Sequence, residues 1–189
     1  MQRMAEIREA PKRDWRRGWT GPLVVFVLLV LGTLWWLGVF HSAQVLEETG
    51  SVHAYIYQNF QGTYRQMVKA RGKLSPQLPA DLRGHPEITM MENESGSGGD
   101  AMVKARIGYL VNAGDATPPG WLRGDWPAQR VAKVEVNANA AIASWKAYSA
   151  LDDWGKARGM PLHYPLFEMM GPGNRYVLLM PLDKSLASS

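Results

Sequence analysis

Residues 21–40 read GPLVVFVLLVLGTLWWLGVF, a stretch without one charged side chain, and no other feature limits the possible folds as much. A helix rises about 1.5 Å per residue, so this run reaches about 30 Å, the thickness of a bilayer's hydrocarbon core. Trp19 at one end and Trp35 and Trp36 near the other suit the depth where an indole ring rests in hydrocarbon and its N–H meets headgroups. The run predicts a transmembrane helix over residues 21–40, with the lipid bilayer as partner; the competing reading is a buried core helix. A cleaved signal peptide would have a shorter apolar stretch and small residues at the cleavage point. The nearest candidate, Phe40-His41-Ser42-Ala43, sets a bulky His two residues before Ala43, so retention is expected.

Charge gives the run a direction. Arg3, Arg8, Lys12, Arg13, Arg16 and Arg17 precede it against Glu6, Glu9 and Asp14, whereas His41 to Gly50 holds Glu47 and Glu48 and no Lys or Arg. By the positive-inside rule the N-terminus is cytoplasmic, and the C-terminal domain is periplasmic or extracellular at the cell membrane. Of 21 bases and 17 acids in the chain, this flank holds six and three, which leaves 15 against 14 beyond Thr20. A nearly neutral remainder lacks the concentrated basic face that phosphate binding needs, so no nucleic-acid partner is expected. With no cysteine present, disulfides, thiolate nucleophiles and thiolate metal sites are all excluded.

About 145 residues remain behind the anchor, enough for one domain with one core. The expected layout is a basic tail (1–20), the span (21–40), a linker (41–50), a domain (51–184) and a short tail (185–189). Within the domain two units share one order of elements, strand, helix, strand, strand. The first unit (51–111) has a strand near Val52 to Gln58, a helix near Thr63 to Lys73, and strands near Glu87 to Glu92 and Ala101 to Val111. Pro76, Pro79 and Pro86 keep residues 75–86 irregular, and Asn93 to Asp100 forms a hairpin loop. A Gly- and Pro-rich linker (112–129) carries Trp121 and Trp126.

The second unit (130–184) repeats the order, with a strand at Arg130 to Ala138 and a helix from about Ala140 to Arg158. That helix places Ile142, Trp145, Tyr148 or Ser149, Leu151 or Asp152, and Trp154 at helical spacing, with Gly159 and Pro161 as the stop. Strands near Leu162 to Met170 and Arg175 to Leu182 close the unit across Gly171-Pro172-Gly173-Asn174. Both helices finish in the same four letters, Lys69-Ala70-Arg71-Gly72 and Lys156-Ala157-Arg158-Gly159, which favours internal duplication. The expected fold class is α+β: an N-terminal transmembrane helix, then a duplicated β-α-β-β domain of antiparallel sheets with helices packed on one face.

With that order in place, the sequence resembles the GyrI-like small-molecule-binding domains, also found as effector-binding domains of bacterial transcription regulators. The resemblance rests on Ala147-Tyr148-Ser149-Ala150-Leu151-Asp152-Asp153-Trp154, on Arg158-Gly159, on Pro165 to Met170, on the strand ending Met180-Pro181-Leu182, and on Arg106 to Val111. It covers residues 50–184 or so and implies a ligand cleft between the two units, with Glu168 as the cleft's acid. Mammalian testis-expressed ER-phagy receptors are similar in placing one span before such a domain. They depend on a long disordered C-terminal tail, whereas this chain stops at Ser189, and the basic flank predicts the opposite topology, so no autophagy role is carried over.

Glu168 is the first candidate site residue: a carboxylate between Phe167 and Met169 whose burial without a partner would cost several kcal/mol. The alternative is that strand alternation turns it to water. Tyr55, Tyr57, Tyr109, Trp121, Trp145, Tyr148 and Tyr164 are candidate walls for a hydrophobic or cationic small molecule, since π faces attract cations and flat rings; each has packing as its ordinary role. The Met90-Met91 and Met169-Met170 pairs occupy matching strands and read as adaptable packing.

His41, His53, His85 and His163 show no metal spacing, Gly96 to Gly99 is no phosphate loop, and no nucleophile elbow occurs; no metal and no cofactor are expected. The leading function is a membrane-anchored binding or sensing module. The alternatives are a hydrolase of small electrophilic compounds using Glu168 with Tyr109 or Tyr148, as the resemblance implies for some members, or a membrane scaffold with a vestigial pocket.

Overall fold

The computed structural model describes residues 15–36, 43–96 and 100–183. The chain divides into one unit up to Leu37 and a second from Gly38. In the first, helix α1 (Trp15–Trp36) carries exposed apolar side chains such as Leu23, Phe26 and Leu29. Among the described residues no helix is long and apolar enough to cross a membrane. Helix α1 starts inside the basic flank and ends at Trp36; residues 37–40 of the expected span lie outside the described ones.

The second unit is built on strands β1 (Gln44–Thr49), β2 (His53–Thr63), β3 (Glu87–Ser95), β4 (Met102–Leu110), β5 (Leu122–Trp126), β6 (Arg130–Asn137), β7 (Leu166–Met170) and β8 (Arg175–Pro181). Helix α2 (Tyr64–Arg71) follows β2 and helix α3 (Ala140–Ala157) follows β6. The strands form one antiparallel sheet in the order β1-β6-β8-β7-β3-β4-β2-β5. The duplication is legible in that order, because β3-β4-β2 and β7-β8-β6 are the same arrangement meeting back to back at β3 and β7.

The structure corrects two expectations. The expected pair of sheets is a single continuous one, because β3 and β7 pair directly from Glu87↔Met170 to Met91↔Leu166. The segments expected as linkers also hold strands: β1 pairs with β6 of the second repeat, and β5 pairs with β2 of the first. Each repeat thus lends its leading strand to the other's outer edge, which satisfies backbone groups that an edge would otherwise expose.

The helices start where the sequence supplies caps. Thr63 accepts from the Gln66 backbone N–H while the Gln66 side chain accepts from the Thr63 N–H, a reciprocal box at the head of α2. Asn139 caps α3 through the Ala141 N–H. The buried face of α3 is Ala143, Ala147, Leu151 and Gly155, one residue round from the aromatic face expected; Trp145 is 69% exposed. Small residues at four-residue spacing let the helix lie close on the sheet, and Trp145 is too large for that gap.

Strand alternation sorts the sheet into two faces. Ile56, Val103, Ala105, Ile107, Val134, Leu166, Leu178 and Met180 pack on the helix side with Met67, Ala147 and Leu151. Tyr55, Ile88, Met90, Trp126, Val131, Phe167, Val177 and Leu179 form a second cluster on the opposite face. The sheet curls around that second cluster. Strand β5 lies four places from β7, about 19 Å on a flat sheet, yet the Trp126 and Phe167 rings stack with centroids 4.8 Å apart.

Candidate functional site

The curled, helix-free face holds a cleft of about 840 Å³, within the range of small-ligand sites. Its walls come from both repeats: Tyr55, Met90, Glu92 and Arg106 from the first, and Trp126, His163 and Tyr164 from the second and its leading strand. Tyr55 lies across Gly124, its cross-strand neighbour. A Cβ on Gly124 would stand 2.8 Å from the Tyr55 hydroxyl oxygen, so only glycine lets the ring take this place without a shift. The same ring packs against Phe167 and Tyr57 with centroids 5.5 Å away in each case.

One wall is electrostatic. Glu92 accepts from Arg106 Nε at 2.8 Å and pairs with Lys104 Nζ at 2.9 Å. Burial alone would push the Glu92 carboxyl up, but the two cations outweigh it and hold the group below its usual range. Arg106 also donates from Nη1 to the Tyr55 hydroxyl at 3.3 Å, and its guanidinium sits 5.0 Å from the centre of the Tyr57 ring. Burial raises the Tyr55 phenol, partly offset by the Arg106 hydrogen bond. Tyr164 donates to Glu94 at 2.6 Å, and burial followed by that bond raises its phenol as well. Asp125 and Asp183 add carboxylates to the lining.

Three lining residues hold polar atoms that are shut from solvent and have no hydrogen-bond partner among the described residues: Trp126 Nε1, Gln129 Oε1 and His163 Nε2. Leaving a buried polar group unpaired costs about 1–3 kcal/mol. His163 Nδ1 lies 3.2 Å from the Pro161 carbonyl, an acceptor only, so in the neutral ring the proton is on Nδ1 and Nε2 offers a lone pair. One donor and two acceptors are therefore left unmatched around the same cleft.

Glu168 lies elsewhere. Alternation turns Phe167 to the cleft face and Glu168 to the helix face, where it is 4% exposed rather than turned to water. The Tyr148 hydroxyl of α3 donates to its Oε1 at 2.7 Å and also lies 3.0 Å from Met91 Sδ. Burial raises the Glu168 carboxyl, opposed by the Arg71 charge and by the hydrogen bond from Tyr148. Tyr148 is raised well above the usual phenol range by burial and then by the carboxylate. Thr89, fully buried, is the cross-strand partner of Glu168. Neither Glu168 nor Tyr148 borders the cleft, so the pair, though within hydrogen-bond reach of each other, lies outside it.

Of the other expected walls, Tyr55 and Tyr164 line the cleft, and Tyr57 lines a shallower groove beside it with Arg106 and Glu92. Tyr109 and Trp121 pack edge to face, centroids 6.0 Å apart, in the helix-side core. Trp145 is on the outer surface of α3. Sequence reasoning missed Glu92, Arg106, Gln129 and His163, and placed Trp126 in a linker. A signal existed for Arg106: with Lys104 it alternates with Val103, Ala105 and Ile107, which marks one face of β4 as charged. Among the described residues no three His, Cys, Asp or Glu side chains converge as metal ligands would.

No protein-family description matches the sequence, and no curated protein does either. Solved structures do match. The C-terminal domain of EcmrR, in its crystal structure, superposes with a TM-score of 0.51 at 13% identity, over 75% of this chain and 98% of that one. EcmrR in a cryo-EM structure of an EcmrR-DNA complex gives a TM-score of 0.52 at 11% identity, over 88% of this chain. This chain spans 66% of that one's length. At such identities the likeness is one of fold, shared with the EcmrR C-terminal domain.

Proposed function

We propose that the domain is a small-molecule-binding or sensing module whose ligand occupies the cleft on the helix-free face, between Tyr55, Trp126 and Tyr164. The observation that carries this reading is the cleft itself, about 840 Å³, lined by both repeats with aromatic rings beside an Arg106–Glu92 pair. The shared fold with the EcmrR C-terminal domain supports it, since the family resemblance implies small-molecule binding between the two units. Flat and hydrophobic compounds suit the rings, and Asp125 and Asp183 suit a positive charge. The buried Glu168 and Tyr148 hold α3 to the sheet in this reading and touch no ligand.

We also propose that residues 21–40 anchor the chain in the cell membrane, N-terminus cytoplasmic and domain periplasmic or extracellular. That reading rests on the uncharged run, its tryptophan ends and its basic flank. Alkaline extraction of membranes, with protease access from each side, tests it. Release into the wash overturns the anchor, and cleavage of the domain from the cytoplasmic side overturns the topology.

For the ligand reading, the full chain in detergent micelles is titrated with a panel of flat aromatic compounds and hydrophobic cations and followed by NMR. Saturable shifts at Tyr55, Trp126 and Tyr164 are the expected result. A panel without one binder, or shifts centred on Tyr148 and Glu168, contradicts it.

A further inference from the structure

The lining of the cleft has a hydrogen-bonding bias that aromatic walls alone do not explain. Trp126 is 2% exposed, and its indole N–H, a donor only, has no acceptor among the described residues. Gln129 Oε1 and His163 Nε2, both shut from solvent, have no donor among them. The Asp125 and Asp183 carboxylates line the same space and accept only when ionised. The cleft's strong donors are already engaged: Arg106 and Lys104 on Glu92, and Tyr164 on Glu94. Trp126 thus presents one buried donor, and Gln129 and His163 two buried acceptors, without partners among the described residues, beside rings that stack on flat molecules.

On the reading that this cleft is the binding site, we propose that its ligand is a flat nitrogen heterocycle with N–H donors next to a ring-nitrogen or carbonyl acceptor, the pattern of an amino-substituted lactam. The acceptor takes the Trp126 N–H, and the N–H groups bond to Gln129 Oε1 and His163 Nε2. A quaternary cation has no N–H and leaves all three atoms unmatched. Sites that hydrogen-bond their ligand discriminate against analogues lacking the polar group far more strongly than apolar pockets discriminate by size, because an unmatched buried group retains its desolvation cost. Trp126 ends β5, Gln129 lies in the short β5–β6 connection and His163 in the connection entering β7. Because each atom is shut from solvent, the proposed contacts require these segments to shift on binding.

The test uses the full chain in detergent micelles and three probes: 2-aminoquinazolin-4-one, its fully N-methylated analogue, and tetraphenylphosphonium. Calorimetry is expected to show the first binding at least tenfold tighter than the second, with the Trp126 indole N–H resonance, assigned by loss in Trp126→Phe, moving on addition of the first. Trp126→Phe is expected to weaken the first probe about tenfold and the methylated one less than twofold. Because the probe comparison in the unmodified chain needs no variant, it decides the matter even if Trp126→Phe fails to fold. Equal binding of the two heterocycles overturns the inference. Saturable cation binding at Tyr55 and Tyr164, with no preference for N–H, overturns it while leaving the cleft as the binding site; no binding by any of the three overturns both.

Discussion

The Tyr148 hydroxyl donates to Glu168 Oε1 at 2.7 Å, joining helix α3 to a strand at the centre of the sheet through a buried carboxylate. Thr89 faces it from the neighbouring repeat, so two buried polar side chains are paired across the strands where the repeats join. Tyr148→Phe keeps the ring and removes the donor. The buried carboxylate then loses a hydrogen bond, and unfolding in urea is expected to show a loss of about 1–3 kcal/mol. An unchanged midpoint would mean that the bond contributes nothing to holding the helix down.

Glu168 also sets a pH dependence. Its carboxyl is raised in the fold, chiefly by burial, so between the unfolded value near 4.3 and the higher folded value the native state holds the proton more tightly. Stability contributed by this group is complete below the unfolded value and declines as pH rises through the folded one, by about 1.4 kcal/mol for each pH unit separating the two values. Glu168→Gln cannot ionise. Its stability relative to the unmodified protein should improve as pH is raised from about 4 to about 8, measured as urea midpoints; a constant difference would show that Glu168 does not titrate with folding.

Gly108 is fixed by strand contact. A Cβ there would stand 1.8 Å from the Ile56 carbonyl oxygen on β2, and backbone cannot yield as a side-chain tip can. Gly108→Ala should cost about 3 kcal/mol or more by parting β2 from β4. Thermal unfolding within two degrees of the parent would disprove that contact.

Gly124 is crowded differently, since its added Cβ would meet the ring end of Tyr55, which can move. Gly124→Ala is therefore expected to cost only about 1 kcal/mol of stability while moving a cleft wall and weakening ligand binding about tenfold. Calorimetry beside a urea melt separates the two effects; a large stability loss with intact binding contradicts this reading.

The repeat was legible because each unit carries its own periodicity and ends its helix in the same tetrapeptide. Strands β1 and β5 were not. Gln44-Val45-Leu46-Glu47-Glu48-Thr49 is mostly exposed, so it lacks the alternation of a half-buried strand, and its partner β6 begins at Arg130, far along the chain. Glu168 was singled out as a carboxylate in an apolar strand and as the cleft's acid, and it is buried on the helix face instead. Which face it occupies depends on where the helices pack, and alternation alone gives two faces without saying which is covered. Trp126, Gln129 and His163 gather only because the sheet curls, a consequence of twist summed over many strands that no local window contains.

The central claim is that ligand binds on the helix-free face and not beside Glu168. The most direct measurement is the affinity of one flat aromatic ligand for the full chain and for two variants, Tyr164→Leu and Glu168→Gln, each confirmed folded. The expected result is a loss of about tenfold for Tyr164→Leu, in line with about 1–1.5 kcal/mol for one aromatic contact, and a change under twofold for Glu168→Gln. The reverse, binding lost with Glu168→Gln and kept with Tyr164→Leu, would contradict it.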